Sequence, residues 1–253
     1  MEYGICNIAI VPLRAEPSDR AELVSQLLFG ETFEILEWTN KWARIKTAFD
    51  SYTGWVDRLQ FVMLGHLAYQ NLQRKPAPLT HKPITQAWKI EDNTVIYLAA
   101  GSSLAFLEGT TCFIGNEKFE IIGEIGERDH IANVAKSFMN APYLWGGRTH
   151  FGIDCSGFTQ VVYRLCGTNI KRDASLQAQQ GETVETLSNG KLGDLAFFNN
   201  PEGKITHVGI LLNNGQIIHA SGKVKIDSID NEGIYSKDLK RHTHQLHSIR
   251  RFF

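Results

Sequence analysis

The chain has 253 residues, of which 43% are hydrophobic and 21% charged, and its formal net charge is −1. This is the composition of a soluble globular protein and excludes disordered and fibrous classes. A net charge so close to zero gives no long-range field that would gather nucleic acid or anionic lipid, so neither is an expected partner.

The N-terminal run MEYGICNIAIVPLRAEPSD has no basic lead-in, and Pro12 and Arg14 interrupt its short apolar stretch, which is not the pattern of a secretory signal. No window reaches the ~18 apolar residues that cross a bilayer. The cysteines Cys6, Cys112, Cys155 and Cys166 have unrelated spacings and no CxxC, which disfavours a disulfide framework or a zinc site. A reducing cytosol is the expected location, or the periplasm if a leader has been removed.

In chain order, residues 1–63 read as all-β. IAIVPLR, ELVSQLLFG, TFEILEW, WARIKT and TGWVDRL are short runs separated by polar turn residues, a spacing that predicts a small barrel closing its own edges. Residues 64–84, with the proline-bearing QNLQRKPAPLTHKP, form a linker. Residues 85–127 carry TQAWKI, TVIYLAA, SLAFLEG, TCFIG and KFEIIG, a second block of the same architecture. From 128 to 253 the pattern changes to α+β, helices first and sheet second. Ile131, Val134, Ala135, Phe138 and Met139 mark one helix face. A second helix starts at Asp154 or Cys155, carries Phe158, Val161, Val162 and Leu165 on one face, and stops at Gly167. A short third helix covers Ala174–Gln180. The strands DLAFF, THVGILL and QIIHAS follow, with NNGQ as the hairpin turn between the last two.

Cys155 is the candidate nucleophile. A helix N-terminus carries roughly half a positive charge and unpaired N–H groups, which favour a thiolate and lower the thiol pKa. Cys166 lies at the opposite end of the same helix, where the field has the other sign, and reads as a packing residue. Asp154 either caps the helix or faces a cationic group on a substrate. A thiolate also needs a base and a group that orients the base. Folding the NNGQ hairpin with Asn213 opposite Asn214 sets His207 and His219 nearly opposite each other on one face, Cβ atoms ~5 Å apart. The remaining histidines share no such arrangement, and His242, His244 and His247 read as a solvated tail.

The motifs APYLWGG, DCSGF, GDLAFF, HVGI and IIHAS, in this order, resemble the NlpC/p60 cysteine peptidases, whose core is similar to a circularly rearranged papain-like fold. The preceding blocks resemble bacterial SH3-like barrels. The resemblance implies two small all-β SH3-like barrels followed by an α+β peptidase domain, with Cys155 as nucleophile, His207 as base and His219 as orienter. It implies cell-wall peptide substrates, cut between D-glutamate and an L-diamino acid, with a free N-terminal L-alanine and no metal or organic cofactor. Such an ammonium has to meet carboxylates, because burying it unpaired costs several kcal/mol. The expected substrate contacts are Asp154 and Ser156; Glu31 and Tyr52 of the first barrel, with Glu22 and Tyr69 as alternatives; Tyr143 and Trp145 lining the cleft; and Asp173, Ala174 and Ser175 of KRDAS. A monomeric enzyme that recycles wall fragments is the expectation. An amidase or acyltransferase of the same fold and a non-catalytic wall-binding protein are the competing readings.

Overall fold

The alternating runs at the start of the chain form strands, as their period of two requires. β1 (Glu2–Ile5), β2 (Ile10–Arg14), β3 (Leu23–Leu28), β4 (Thr32–Trp38), β5 (Trp42–Thr47), β6 (Thr53–Asp57) and β7 (Val62–Leu64) make one antiparallel sheet in the order β3-β2-β6-β5-β4-β1-β7. Its inward residues, among them Val11, Leu13, Leu27, Phe33, Ile45 and Val56, meet in a single core. A computed structural model provides these coordinates; it describes residues 1–253, which divide into two units, Met1–Arg128 and Asp129–Phe253. No helix in it is long and apolar enough to cross a membrane.

Helix α1 (His66–Arg74) occupies the stretch read as a linker. Tyr69 stacks on Tyr3 with ring centroids 4.0 Å apart, and Leu72 packs on the second core, so this polar-looking segment is tied down by two side chains. The second sheet contains β8 (Ile84–Lys89), β9 (Thr94–Ala99), β10 (Leu107–Glu108), β11 (Thr111–Ile114) and β12 (Glu117–Ile122), in the order β10-β11-β12-β8-β9. SLAFLEG, read as a full strand, contributes only its Leu107–Glu108 end, with Leu104 and Ala105 buried ahead of it. Ile5 and Phe29 of the first block belong to the second block's core, where Phe29 meets Phe119 edge-on at 4.9 Å. The two blocks therefore share packing.

In the second unit, α2 (Ile131–Ser137) precedes the two-residue strands β13 (Arg148–Thr149) and β14 (Gly152–Ile153). Then come α3 (Cys155–Leu165) and α4 (Ala174–Gln177), the latter shorter than the sequence reading by three residues. Helix α3 ends as its sequence indicates: Gly167 takes φ +89°, and its N–H donates to Arg164 O at 2.9 Å.

The sheet comprises β15 (Glu182–Val184), β16 (Leu195–Asn199), β17 (Ile205–Asn213), β18 (Gln216–Ser221), β19 (Lys223–Ile229), β20 (Gly233–Ser236) and β21 (Arg241–Arg251). Strand β21, the segment read as a solvated tail, pairs with β16 over one half and β20 over the other, and so closes the ladder into a barrel. Closure was expected in the first two blocks, but the strand orders there have two ends. It occurs here because an 11-residue strand is long enough to pair with β16 along one edge and with β20 and then β15 along the other.

Gly30 marks the junction of the first two blocks. It takes φ +73°, and a Cβ there would lie 1.8 Å from the carbonyl oxygen of Ser103. Gly30→Ala should cost at least about 1–3 kcal/mol, read as a lower urea midpoint; an unchanged midpoint would contradict this account of the junction.

Candidate active site

The site begins where a glycine-containing loop folds onto the start of α3. Gly157 lies in the first turn, and a Cβ there would be 2.3 Å from the Gly147 carbonyl oxygen; only a bare α-carbon allows this approach. Asp154 is the N-cap: its Oδ1 accepts the Gly157 N–H at 2.6 Å and its Oδ2 accepts the Gly146 N–H at 2.8 Å. The guanidinium of Arg172 grips the same carboxylate with two bonds, 3.0 Å to Oδ1 and 2.6 Å to Oδ2. Arg172 also donates to Ser156 Oγ at 2.8 Å. All three residues are buried.

Of the two roles open to Asp154, the structure therefore assigns the cap. Its lone pairs are committed to two backbone N–H groups and a guanidinium, which leaves none for a substrate ammonium. The Ser156 hydroxyl is likewise engaged. Arg172 escaped the sequence reading because arginine in KRDAS looks like a surface charge; its signal is that a buried carboxylate at a helix start requires a cation.

Cys155 occupies the first helical position and is 6% exposed. Burial is the main influence on its thiol and, together with the Asp154 charge, pushes its pKa up to about 12. Hydrogen bonds from the backbone N–H groups of Val208 and Ser156, and the charge of Arg172, act in the opposite direction. The expectation of a lowered pKa is corrected: desolvation and the neighbouring carboxylate outweigh the helix field. The bond from Val208 places the sulfur against β17 one residue from His207. Tyr143 lies in the same environment, its phenol pushed up to about 12 by burial and then by the charges of Cys155 and Asp154. A parallel bridge to Ile153 fixes Tyr143 beside the helix start.

The hairpin supplies the histidines. Asn213 pairs with Gln216 around Asn214–Gly215, and further in Ile210 pairs with Ile218. That register sets His219 across from Gly209 and not beside His207, one residue away from the register expected of the NNGQ turn. A Cβ on Gly209 would lie 2.9 Å from the His219 Cβ. The missing side chain lets His219 lean diagonally, and its Nδ1 comes 2.8 Å from His207 Nε2. The glycine of HVGI is thus what lets the two rings meet.

His219 Nε2 in turn lies 3.1 Å from Asp227 Oδ2 on β19. Asp227 was not anticipated from the sequence. It is two residues beyond Lys225, the partner of His219 in the ladder, and so on the same face. Burial raises the Asp227 pKa, but the bonds from His219 and the Lys237 N–H, with the Lys225 charge, outweigh it and hold it at about 2. For neutral rings, an ionised Asp227 admits one proton order. His219 Nε2–H donates to Asp227, His207 Nε2–H donates to His219 Nδ1, and His207 Nδ1 keeps its lone pair. Burial first, then the neighbouring His219 and His244, lower the His207 pKa well below its ordinary value, which keeps the resting ring neutral.

The other expected contacts are distributed as follows. Trp145 is 58% exposed on the loop before β13. Asp173 is the N-cap residue of α4, Ala174 is buried and Ser175 exposed. Gln177 ties this segment to α3, donating to Ser156 O at 3.0 Å and accepting from Thr159 Oγ1 at 2.8 Å. Glu31 and Tyr52 belong to the first unit. Glu31 is buried and its Oε2 accepts the Leu28 N–H at 3.0 Å, while Tyr52 packs partly buried on the first core. No group of three or more His, Cys, Asp or Glu side chains is arranged to hold a metal ion.

A resting pair of neutral thiol and neutral imidazole has a kinetic signature. Because the Cys155 pKa is raised, its thiolate fraction grows as pH rises. Iodoacetamide labelling of Cys155, followed by peptide mass spectrometry, should accelerate about tenfold per pH unit and still be rising at about pH 10. A plateau at neutral pH would reveal a preformed thiolate–imidazolium pair instead.

Comparison with known proteins identifies the family. A model described as the NlpC/P60 family matches residues 140–243, and one described as bacterial dipeptidyl-peptidase SH3 domain matches residues 13–60. The chain is 31% identical over 238 residues to the gamma-D-glutamyl-L-lysine dipeptidyl-peptidase of Bacillus subtilis (strain 168), covering 85% of this chain and 78% of that protein. It is 28% identical to dipeptidyl-peptidase 6 of Lysinibacillus sphaericus over 258 residues, covering 90% of this chain and 92% of that one. A crystal structure of an NlpC/P60 family protein from Bacillus cereus ATCC 10987 superposes with a TM-score of 0.80 across 98% of this chain and 99% of that one, at 19% identity. The family-model matches, and a relative 31% identical over 85% of this chain and 78% of its own length, show that the chain belongs to the NlpC/P60 family of cysteine peptidases.

Proposed function

We propose that this enzyme hydrolyses the bond between the γ-carboxyl of D-glutamate and an L-diamino acid, lysine or diaminopimelate, in cell-wall peptides that begin with a free L-alanine. The observation that carries the reaction is the chain from Asp227 through His219 to His207, on the strand whose Val208 N–H bonds the Cys155 sulfur. The substrate reading rests on the relatives named as dipeptidyl-peptidases, whose similarity extends through the N-terminal region.

The steps follow from the proton order. His207 Nδ1 takes the thiol proton as Cys155 Sγ attacks the γ-carbonyl carbon, and the carbonyl electron pair moves onto oxygen. The N–H of Cys155 at the helix start is the donor for that charge; the Gly157 N–H is already given to Asp154 and the Ser156 N–H to the sulfur. As the carbonyl re-forms, the C–N bond breaks and the departing amine takes the proton from His207. Water then attacks the thioester with His207 again as base, the carboxylate product L-Ala-D-Glu leaves, and the proton returns to sulfur.

In this reading the two open β blocks of the N-terminal region are SH3-like and the second unit carries the papain-like core. Asp173 is the carboxylate of the second unit assigned to the substrate ammonium, the duty from which Arg172 excludes Asp154. The enzyme is a cytoplasmic monomer acting on small released wall peptides.

The test compares L-Ala-γ-D-Glu-L-Lys with its N-acetylated form. The free-amine peptide should yield L-Ala-D-Glu, the acetylated one should react at least about 10²-fold more slowly, and Cys155→Ala should cleave neither. Equal cleavage of both peptides would remove the requirement for the amine. Cleavage of neither by the unmodified enzyme would remove the substrate.

A further inference from the structure

Strand β21 carries two β-bulges, and they decide where His244 points. Ile234 pairs with His244 and Tyr235 with His242, which makes Thr243 the extra residue; Phe198 pairs with Leu246 and Phe197 with Ser248, which makes His247 another. An extra residue re-aims the side chains that follow it. Between the two bulges, Leu246 packs on the core and His244 stacks on His207, ring centroids 4.1 Å apart and planes 27° apart. His242, before the bulge, instead lies against Asp230 and Glu232 at the surface.

His207 is therefore bounded on several sides. Its Nε2 is bound to His219, Phe198 lies at 5.8 Å with its ring tilted, and His244 is stacked on it. We propose that His244 is a positioning residue for the general base: its imidazole, stacked on His207, holds that ring at the angle from which Nδ1 serves the Cys155 thiol and keeps water off it.

The groups around His244 fit this role. His207 on β17 and His219 on β18 face it, Lys225 and Asp227 on β19 act on it electrostatically, and Thr243 on its own strand contacts its Nδ1 at 2.8 Å. Burial first, then His219 and Lys225, push its pKa down to about 4. At neutral pH it is an uncharged aromatic ring, able to lie against His207 when that ring becomes imidazolium; a second cation there would repel it.

The proposal rests on His207 being the base, but not on the identity of the peptide. The test uses His244→Phe, His244→Leu and His244→Ala, with kcat and KM on L-Ala-γ-D-Glu-L-Lys and the NMR titration of the His207 ring. Alanine should lower kcat about tenfold with KM within about twofold, and the His207 titration should move up toward the ordinary histidine range as water reaches the ring. Phenylalanine should restore both and leucine should not, a comparison that stands even if the alanine variant fails to fold. Unchanged kcat and titration in the leucine variant, or a phenylalanine variant as impaired as leucine, would overturn the proposal. An unmodified enzyme inactive on the peptide, with a His207 titration that still responds to His244→Leu, would remove the substrate reading and leave the positioning role standing.

Discussion

The chemistry depends on a single ionised carboxylate. Asp227 accepts from His219, and that one acceptance sets which nitrogen of each ring carries a proton and which atom of His207 is basic. A neutral imidazole can place its proton on either nitrogen, so a histidine pair alone would be ambiguous. A carboxylate can only accept, and it removes the ambiguity. Lys225, 3.4 Å from Asp227 and 2.8 Å from Asp238, keeps that carboxylate supplied with countercharge.

A second fixed charge does similar work at the other side of the site. The Arg172–Asp154 pair is buried, and breaking such a pair by removing one partner costs about 3–5 kcal/mol. What it secures is geometric: the start of α3, the loop before β13 and the segment leading into α4 are held by one guanidinium and one carboxylate. The same pair sets opposing influences on Cys155, with Asp154 raising its pKa and Arg172 lowering it. Burial decides between them in favour of the thiol. The enzyme thus rests uncharged at its reactive centre and separates charge only when the base takes the proton.

The parts of this site that lie in local sequence were legible from it. The Asp154 cap and Cys155 beside it, the helix they open and the NNGQ turn are determined by residues within a few positions of each other. So was the closeness of His207 and His219, although the hairpin register was off by one residue, because the gap at Gly209 that lets His219 lean across is a packing event and not a periodicity. Arg172, Asp227 and His244 were not legible. Each looks like a surface charge or a tail residue in the linear chain, and each is turned inward by something remote: a carboxylate 18 positions earlier, a third strand, and two bulges in the strand that closes the barrel. The open ladders of the first unit and the helix in its expected linker were missed for the same reason, since strand closure and the docking of Tyr69 on Tyr3 are set by distant partners.

The proton order itself can be measured. Long-range 15N–1H correlation of the imidazoles in uniformly 15N-labelled enzyme at neutral pH reports the protonation of every ring nitrogen. This account predicts that His207 is neutral, with its proton on Nε2 and an unprotonated Nδ1, and that His219 carries a proton on the Nε2 that faces Asp227. A proton on His207 Nδ1 would contradict it, because that ring could not then take the proton from Cys155.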